Sequence, residues 1–267
     1  LLGGEPSLYD KKNNWQKLKV LVSRLPDFGF NEIRLDTNGQ FNDNFLIEIR
    51  HLPITDLSFS LDGGNPLEND KLRGTGTFDR AIKNIRLSSR LFSTSVTICV
   101  SRHNISDILK SIQLLKSIGV KSFNFHPLLK VGNGQDAYIF KNFITIDEWN
   151  KAYEKLVELS CTDSGTEYRI PPRSSYFIKN TDYEYCSIRL RDRLHIQPNG
   201  VIRICPLHVG TKFRTAINNG GLYSISDAHS EFDILNRCNV CPVQNSNDNK
   251  GEPLCVSYKP NEPVLRK

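Results

Sequence analysis

The chain has 267 residues, enough for one large domain or a domain and a half, with 24% charged and 38% hydrophobic residues. No apolar run approaches the roughly 18 residues of a membrane span, and we expect no secretory leader, a cytoplasmic protein and no membrane partner. The net charge of +6, from 35 basic and 29 acidic residues, is scattered rather than massed. It reads as a solvated surface, and without a helix-turn-helix, finger or RNA-binding signature it does not point to nucleic acid.

The first stretch, Leu1-Leu2-Gly3-Gly4-Glu5-Pro6, breaks from an apolar run into two glycines, an acid and a proline. Such glycines let a backbone turn sharply and come close to a ligand. The sequence contains no methionine, and we expect a longer sequence ahead of Leu1. Trp15, Leu18, Val22 and Leu25 then share one helical face. A strand over 32–36 halts at Thr37-Asn38-Gly39, a helix spans 42–50, and a second strand leads into Ser60-Leu61-Asp62-Gly63. The unit recurs as a helix over 77–89, a strand over 96–100, a helix over 106–117 ending at Gly119, and a strand over 121–128. Helices alternating with short strands predict parallel βα units joined by right-handed crossovers.

In such folds ligands lie at the carboxyl ends of the strands. The polar residues after each strand are therefore the informative ones. They include Gly3, Gly4, Glu5 and Pro6, Asn38, Ser60 with Asp62, Arg102 with Asn104, and His126-Pro127-Leu128. A last helix over 143–161 opens with Thr145 and Glu148, a capping box. Residues 162–184 read as a connector, which places one domain at 1–165 and a second at 166–267.

Seven cysteines in a chain of this composition argue for a metal or for catalysis. Five crowd the last third. Cys186 and Cys205 bracket a β-hairpin over 194–204 that turns at Pro198-Asn199-Gly200. Cys238 and Cys241 form a Cys-x-x-Cys pair, and with the first two they compose a four-thiolate site. Spacing leaves zinc and iron-sulfur open. Cys255 is a spare thiol, a structural residue or part of an incomplete second site, and Cys99 reads as a small apolar strand residue.

At this point the chain resembles the radical S-adenosylmethionine enzymes with a C-terminal SPASM/twitch extension. Gly3-Gly4-Glu5-Pro6 resembles the family's motif after its second barrel strand, Thr37-Asn38-Gly39 the end of the third, and Ser60-Leu61-Asp62-Gly63 the fourth. The resemblance implies an α/β fold, a partial (β/α)6 TIM-like barrel without its first strand and cluster loop, then a small hairpin-containing cysteine-rich twitch domain. It implies that Gly3, Gly4, Glu5, Pro6 and Asn38 hold the methionyl amino end of S-adenosylmethionine. Ser60 and Asp62 would face its ribose and carboxylate region, Arg102 would grip the carboxylate, and Leu128 would cover the adenine. Cys186, Cys205, Cys238 and Cys241 would hold an auxiliary [4Fe-4S] cluster. The family's radical-generating [4Fe-4S] cluster needs a Cys-x3-Cys-x2-Cys loop, a spacing that none of the seven cysteines provides. The implied activity is hydrogen abstraction by a 5′-deoxyadenosyl radical, modifying a ribosomal peptide or a small sugar- or nucleoside-like molecule. The implied partners are that substrate and an electron donor such as a flavodoxin or ferredoxin. A cluster-less or zinc-stabilised barrel that binds a partner without catalysis is the alternative.

Overall fold

The computed structural model describes residues 1, 4–128, 141–170, 194–197, 199–204, 216–219 and 222–225. These fall into two compact units that divide after residue 170. The first runs α1 (Gln16–Arg24), β1 (Arg34–Thr37), α2 (Asp43–Ile49), β2 (Asp56–Ser60), α3 (Pro66–Arg73), α4 (Thr77–Ser88), β3 (Thr94–Val100), α5 (Ile108–Ser117), β4 (Ser122–Pro127), α6 (Ile146–Thr162) and β5 (Glu167–Arg169). Its five strands form one sheet in chain order, with every pair parallel. This is the expected α/β architecture, because parallel neighbours require crossovers and helices supply them.

Leu1 adjoins the open edge of this sheet. Its backbone nitrogen donates to Arg34 O and its carbonyl accepts from Asp36 N at 3.0 Å. That pair of bonds is the signature of a parallel bridge centred on Leu35. The chain therefore leaves a strand position beside β1 before turning through Gly4 and Glu5.

The sheet has two chemically opposite faces. Leu35, Leu57, Phe59, Val96, Ile98 and Phe123 lie on the helix side, each no more than 1% exposed. The helices meet them with residues at three- and four-residue spacing: Leu18 and Val22 of α1, Ala81 and Ile85 of α4, Ile108, Ile112 and Leu115 of α5, and Trp149 and Leu156 of α6. Each fully buried Leu, Ile, Val or Phe side chain among them stabilises the fold by about 1.5–3 kcal/mol. Phe41 and Phe45 extend this core, their rings 4.8 Å apart, and Trp15 packs on Phe45 at 5.2 Å.

Two elements of this unit lie where the sequence reads as turn or connector. Asn65 starts α3 by accepting a bond from Glu68 N at 3.1 Å, and Pro66 follows it in the first turn. Within the connector over 162–184, Glu167–Arg169 forms β5 against β4. The capping box of α6 is present: Thr145 Oγ1 accepts from Glu148 N at 3.2 Å, and Glu148 Oε2 accepts from Thr145 N at 2.6 Å.

The second unit contains a four-stranded antiparallel sheet, β6 (His195–Ile196), β7 (Val201–Arg203), β8 (Ala216–Asn219) and β9 (Leu222–Ile225), ordered as in the chain. β6 and β7 form the expected hairpin, with Ile196 opposite Ile202 and Gly200 at φ +80° in its turn. The sequence reading did not anticipate β8 and β9. Cys186, Cys205, Cys238, Cys241 and Cys255 lie outside the described residues.

Candidate functional site

Glu5 gathers the first two strand exits. It caps a short 3-10 helix, Pro6–Leu8, by accepting from Ser7 N at 3.1 Å. The same carboxylate accepts from the Thr37 hydroxyl at 2.6 Å and from Asn38 N at 2.7 Å. Oε2 takes one of these three bonds, so it retains capacity for a further donor. Gly4 precedes it at φ +60°, where a β-carbon would meet nothing within 4 Å. The backbone there bends toward open space. Asn38 is exposed, with its side chain accepting from Gln40 N at 2.8 Å. Pro6 is buried, and Gly3 lies outside the described residues.

Asp62 behaves differently from the expectation that it faces a ribose. It is 4% exposed, accepts from Cys99 N at 2.8 Å and forms a 2.7 Å ion pair with Arg73. It thus extends the β2–β3 pairing beyond the strand and ties both to α3. Ser60, half-buried one layer below, keeps a hydroxyl with no partner among the described residues. Arg102 is 46% exposed and pairs with Glu148 of the α6 cap at 3.3 Å. Leu128 is half-buried, and its N–H donates to Val100 O at 2.9 Å.

Three buried asparagines hold these exit loops in place. Asn84 of α4 donates to Gly39 O at 2.8 Å and Phe41 O at 2.9 Å, after β1. Asn69 of α3 accepts from Asp62 N at 3.0 Å, after β2. Asn104 donates to Asp62 O and Cys99 O, each at 2.7 Å, and accepts from Ser101 N at 2.8 Å, after β3. Satisfied networks of this kind fix loop geometry before a ligand arrives.

Below the exits, the face of the sheet opposite the helices carries Arg34 and Asp36, Asp56 and Ser58, Ser95 and Thr97, Ser122, Asn124 and His126, and Glu167 and Arg169. Arg34 is central: its guanidinium donates to Asp36 Oδ1 at 2.7 Å, Ser58 Oγ at 2.7 Å and Thr97 Oγ1 at 3.1 Å. Burial raises the Asp56 carboxyl above its ordinary range despite the Ser95 hydroxyl at 2.7 Å. Desolvation, reinforced by the Arg34 charge, lowers the His126 imidazole below its ordinary range. Burial also pushes the Cys99 thiol up to about 12. Of this wall, sequence reasoning singled out Ser60, Cys99 and His126. The signal for the rest was present as polar residues at every second position of each strand.

The fold and this geometry define an α/β protein with polar loops at the carboxyl ends of its parallel strands and a polar sheet face opposite the helices. Comparison with known proteins sharpens this. Residues 1–115 match the family model described as the Radical SAM superfamily. A probable GTP 3′,8-cyclase of Saccharolobus islandicus is 26% identical over 158 residues, 58% of this chain and 49% of that protein. An AdoMet-dependent heme synthase of Methanosarcina barkeri is 29% identical over 106 residues, 39% of this chain and 30% of that one. Among solved structures, SuiB of Streptococcus suis superposes with a TM-score of 0.62 at 15% identity, over 90% of this chain and 55% of its own. The chain thus aligns with no more than about half the length of these curated relatives.

Proposed function

We propose that this chain belongs to a radical S-adenosylmethionine enzyme that abstracts hydrogen from a peptide or a small sugar- or nucleoside-like substrate. The observation that carries the reading is the Glu5 junction. A carboxylate anchored to two successive strand exits, with capacity left on Oε2 and open space at Gly4, suits an amino group. It falls inside the 1–115 segment that matches the superfamily model. Asn38, the unpartnered Ser60 hydroxyl and the half-exposed Arg102 stand at the neighbouring exits and would hold the remaining polar groups. Leu128 would offer an apolar surface to the adenine. Asp62 would act through the loop it fixes. When bound beside a reduced [4Fe-4S] cluster, S-adenosylmethionine supplies a 5′-deoxyadenosyl radical. This chain's contribution is to bind, to orient and to keep competing groups away.

Cys186, Cys205, Cys238 and Cys241 would hold an auxiliary [4Fe-4S] cluster, and a flavodoxin or ferredoxin would deliver electrons. SuiB has been solved bound to S-adenosylmethionine and to the precursor peptide SuiA, which supports the cofactor and keeps a peptide among the substrates. The test is formation of 5′-deoxyadenosine by the anaerobically reconstituted full-length protein. Its absence with the clusters loaded would favour a binding protein. Glu5→Gln should weaken S-adenosylmethionine binding by about tenfold or more in calorimetry, the order expected for loss of a charge-assisted bond.

A further inference from the structure

The Glu5 carboxylate is held by donors of two kinds. Ser7 N reaches Oε1 at 3.1 Å and Asn38 N reaches Oε2 at 2.7 Å, both from the backbone. The third donor is a side chain, the Thr37 hydroxyl, 2.6 Å from Oε1. Thr37 ends β1 on the face it shares with Leu35, the helix side, and is 3% exposed. It is therefore shielded from anything bound at the strand ends.

The direction of the hydroxyl proton follows from the other contact of Thr37. Gly39 N donates to Oγ1 at 3.1 Å, and an amide can only donate, so the proton is left for Glu5. That amide is itself fixed. Gly39 sits at φ +72°, a β-carbon there would lie 3.0 Å from the Phe59 ring and 3.3 Å from Ala81, and its carbonyl accepts from the buried Asn84 at 2.8 Å. The backbone donor to Oε1 is mounted as firmly, because the buried Trp15 donates through Nε1 to Ser7 O at 2.7 Å. Oε1 is thus clamped from the core, through α4 on one side and Trp15 on the other, while Oε2 keeps capacity for a donor from outside.

Resting on the function proposed above, we infer that Thr37 is a positioning residue for the amino group of S-adenosylmethionine. Its hydroxyl fixes the plane of the Glu5 carboxylate, so that Oε2 is oriented before the amino group arrives, and a preorganised acceptor binds better than a mobile one. Threonine suits the task because β-branching restricts χ1. Valine would keep that shape and remove the proton, leaving the carboxylate to backbone amides alone and Gly39 N without its acceptor. Serine would keep the proton.

The test is calorimetry on the full-length protein, reconstituted anaerobically and left unreduced, with two probes. One is S-adenosylmethionine; the other is 5′-methylthioadenosine, which keeps the adenosine and lacks the amino acid end. Thr37→Val should weaken S-adenosylmethionine by about tenfold, the order of one charge-assisted bond, and move 5′-methylthioadenosine by less than about twofold. Thr37→Ser should stay within about threefold of the unaltered protein for both, its freer χ1 being the loss. Because Thr37 acts through Glu5, adding Thr37→Val to Glu5→Gln should cost no more than about twofold beyond Glu5→Gln alone, a non-additivity that general loosening of the fold does not produce. Should Thr37→Val fail to fold, NMR on the unaltered protein carries the same question. A hydroxyl proton in so short and buried a bond to a carboxylate should exchange slowly with water and stand downfield, and Glu5→Gln should shift it. A hydroxyl in fast exchange overturns the proposal. So does a Thr37→Val protein that keeps its affinity for S-adenosylmethionine, or loses both probes equally, while Glu5→Gln still weakens S-adenosylmethionine; Glu5 then holds the amino group without help from Thr37. If Glu5→Gln itself changes nothing, Glu5 does not hold the amino group, and the function proposed above loses its support together with this inference.

Discussion

Asn104 is the residue on which two strand exits depend. Its amide reaches the carbonyls of Asp62 and Cys99, and its oxygen takes the Ser101 N–H. Asn104→Ala strands buried polar groups and should lower stability by about 1–3 kcal/mol in urea unfolding. Asp163 makes a pH-dependent contribution. Burial alone would push its carboxyl up, but bonds from Lys116, Tyr168 at 2.6 Å and Thr166 outweigh it and bring it down to about 2. The folded-state value lies below the ordinary 3.8, so this stabilisation is present above that value and disappears as pH falls toward about 2. Lys116→Ala should raise the Asp163 value, read by NMR titration, and move acid unfolding to higher pH. Neither role was legible in the sequence. Asn104 reads there as one more turn residue, and its partner Asp62 lies 42 positions away.

At the scale of elements, α6 ties packing to the candidate site. Its Thr145–Glu148 capping box satisfies the first amides, and Glu148 also pairs with the exposed Arg102. Thr145→Ala should cost about 1 kcal/mol in thermal or chemical unfolding. Glu148→Ala should cost a similar amount and release Arg102, so S-adenosylmethionine affinity should change only in the second variant. Calorimetry on both separates cap from site. This element, like β1 to β4, was legible because its signals are local: a cap, a helical period, a strand alternation. α3 and β5 were not read. Asn65-Pro66 is a helix start hidden in a Gly-rich stretch, and Glu167–Arg169 is too short to show a period. The strand alternation held more than was taken from it. Read for its polar half, it lays out the inner wall from Arg34 to Arg169.

For the whole molecule, the thiols carry the strongest prediction. Cys99 lies on the inner wall, and burial keeps its thiol protonated at neutral pH; Cys161 lies exposed on α6. Neither is positioned as a cluster ligand, because among the described residues no three metal-binding side chains converge. If Cys186, Cys205, Cys238 and Cys241 compose one site, this 267-residue chain, reconstituted anaerobically on its own, should bind about four irons per chain with equal inorganic sulfide, since four thiolates complete one [4Fe-4S] cluster. Serine at any of the four should lose most of that iron. Serine at Cys99, Cys161 or Cys255 should not, and the Cys255 variant decides whether that residue is spare. Zinc in place of iron, or iron that survives Cys238→Ser, would favour the alternative of a metal-stabilised binding protein over the proposed radical enzyme. The distinction is sharp because a thiolate site of this kind accepts either metal, while the proposed electron transfer requires a redox-active one.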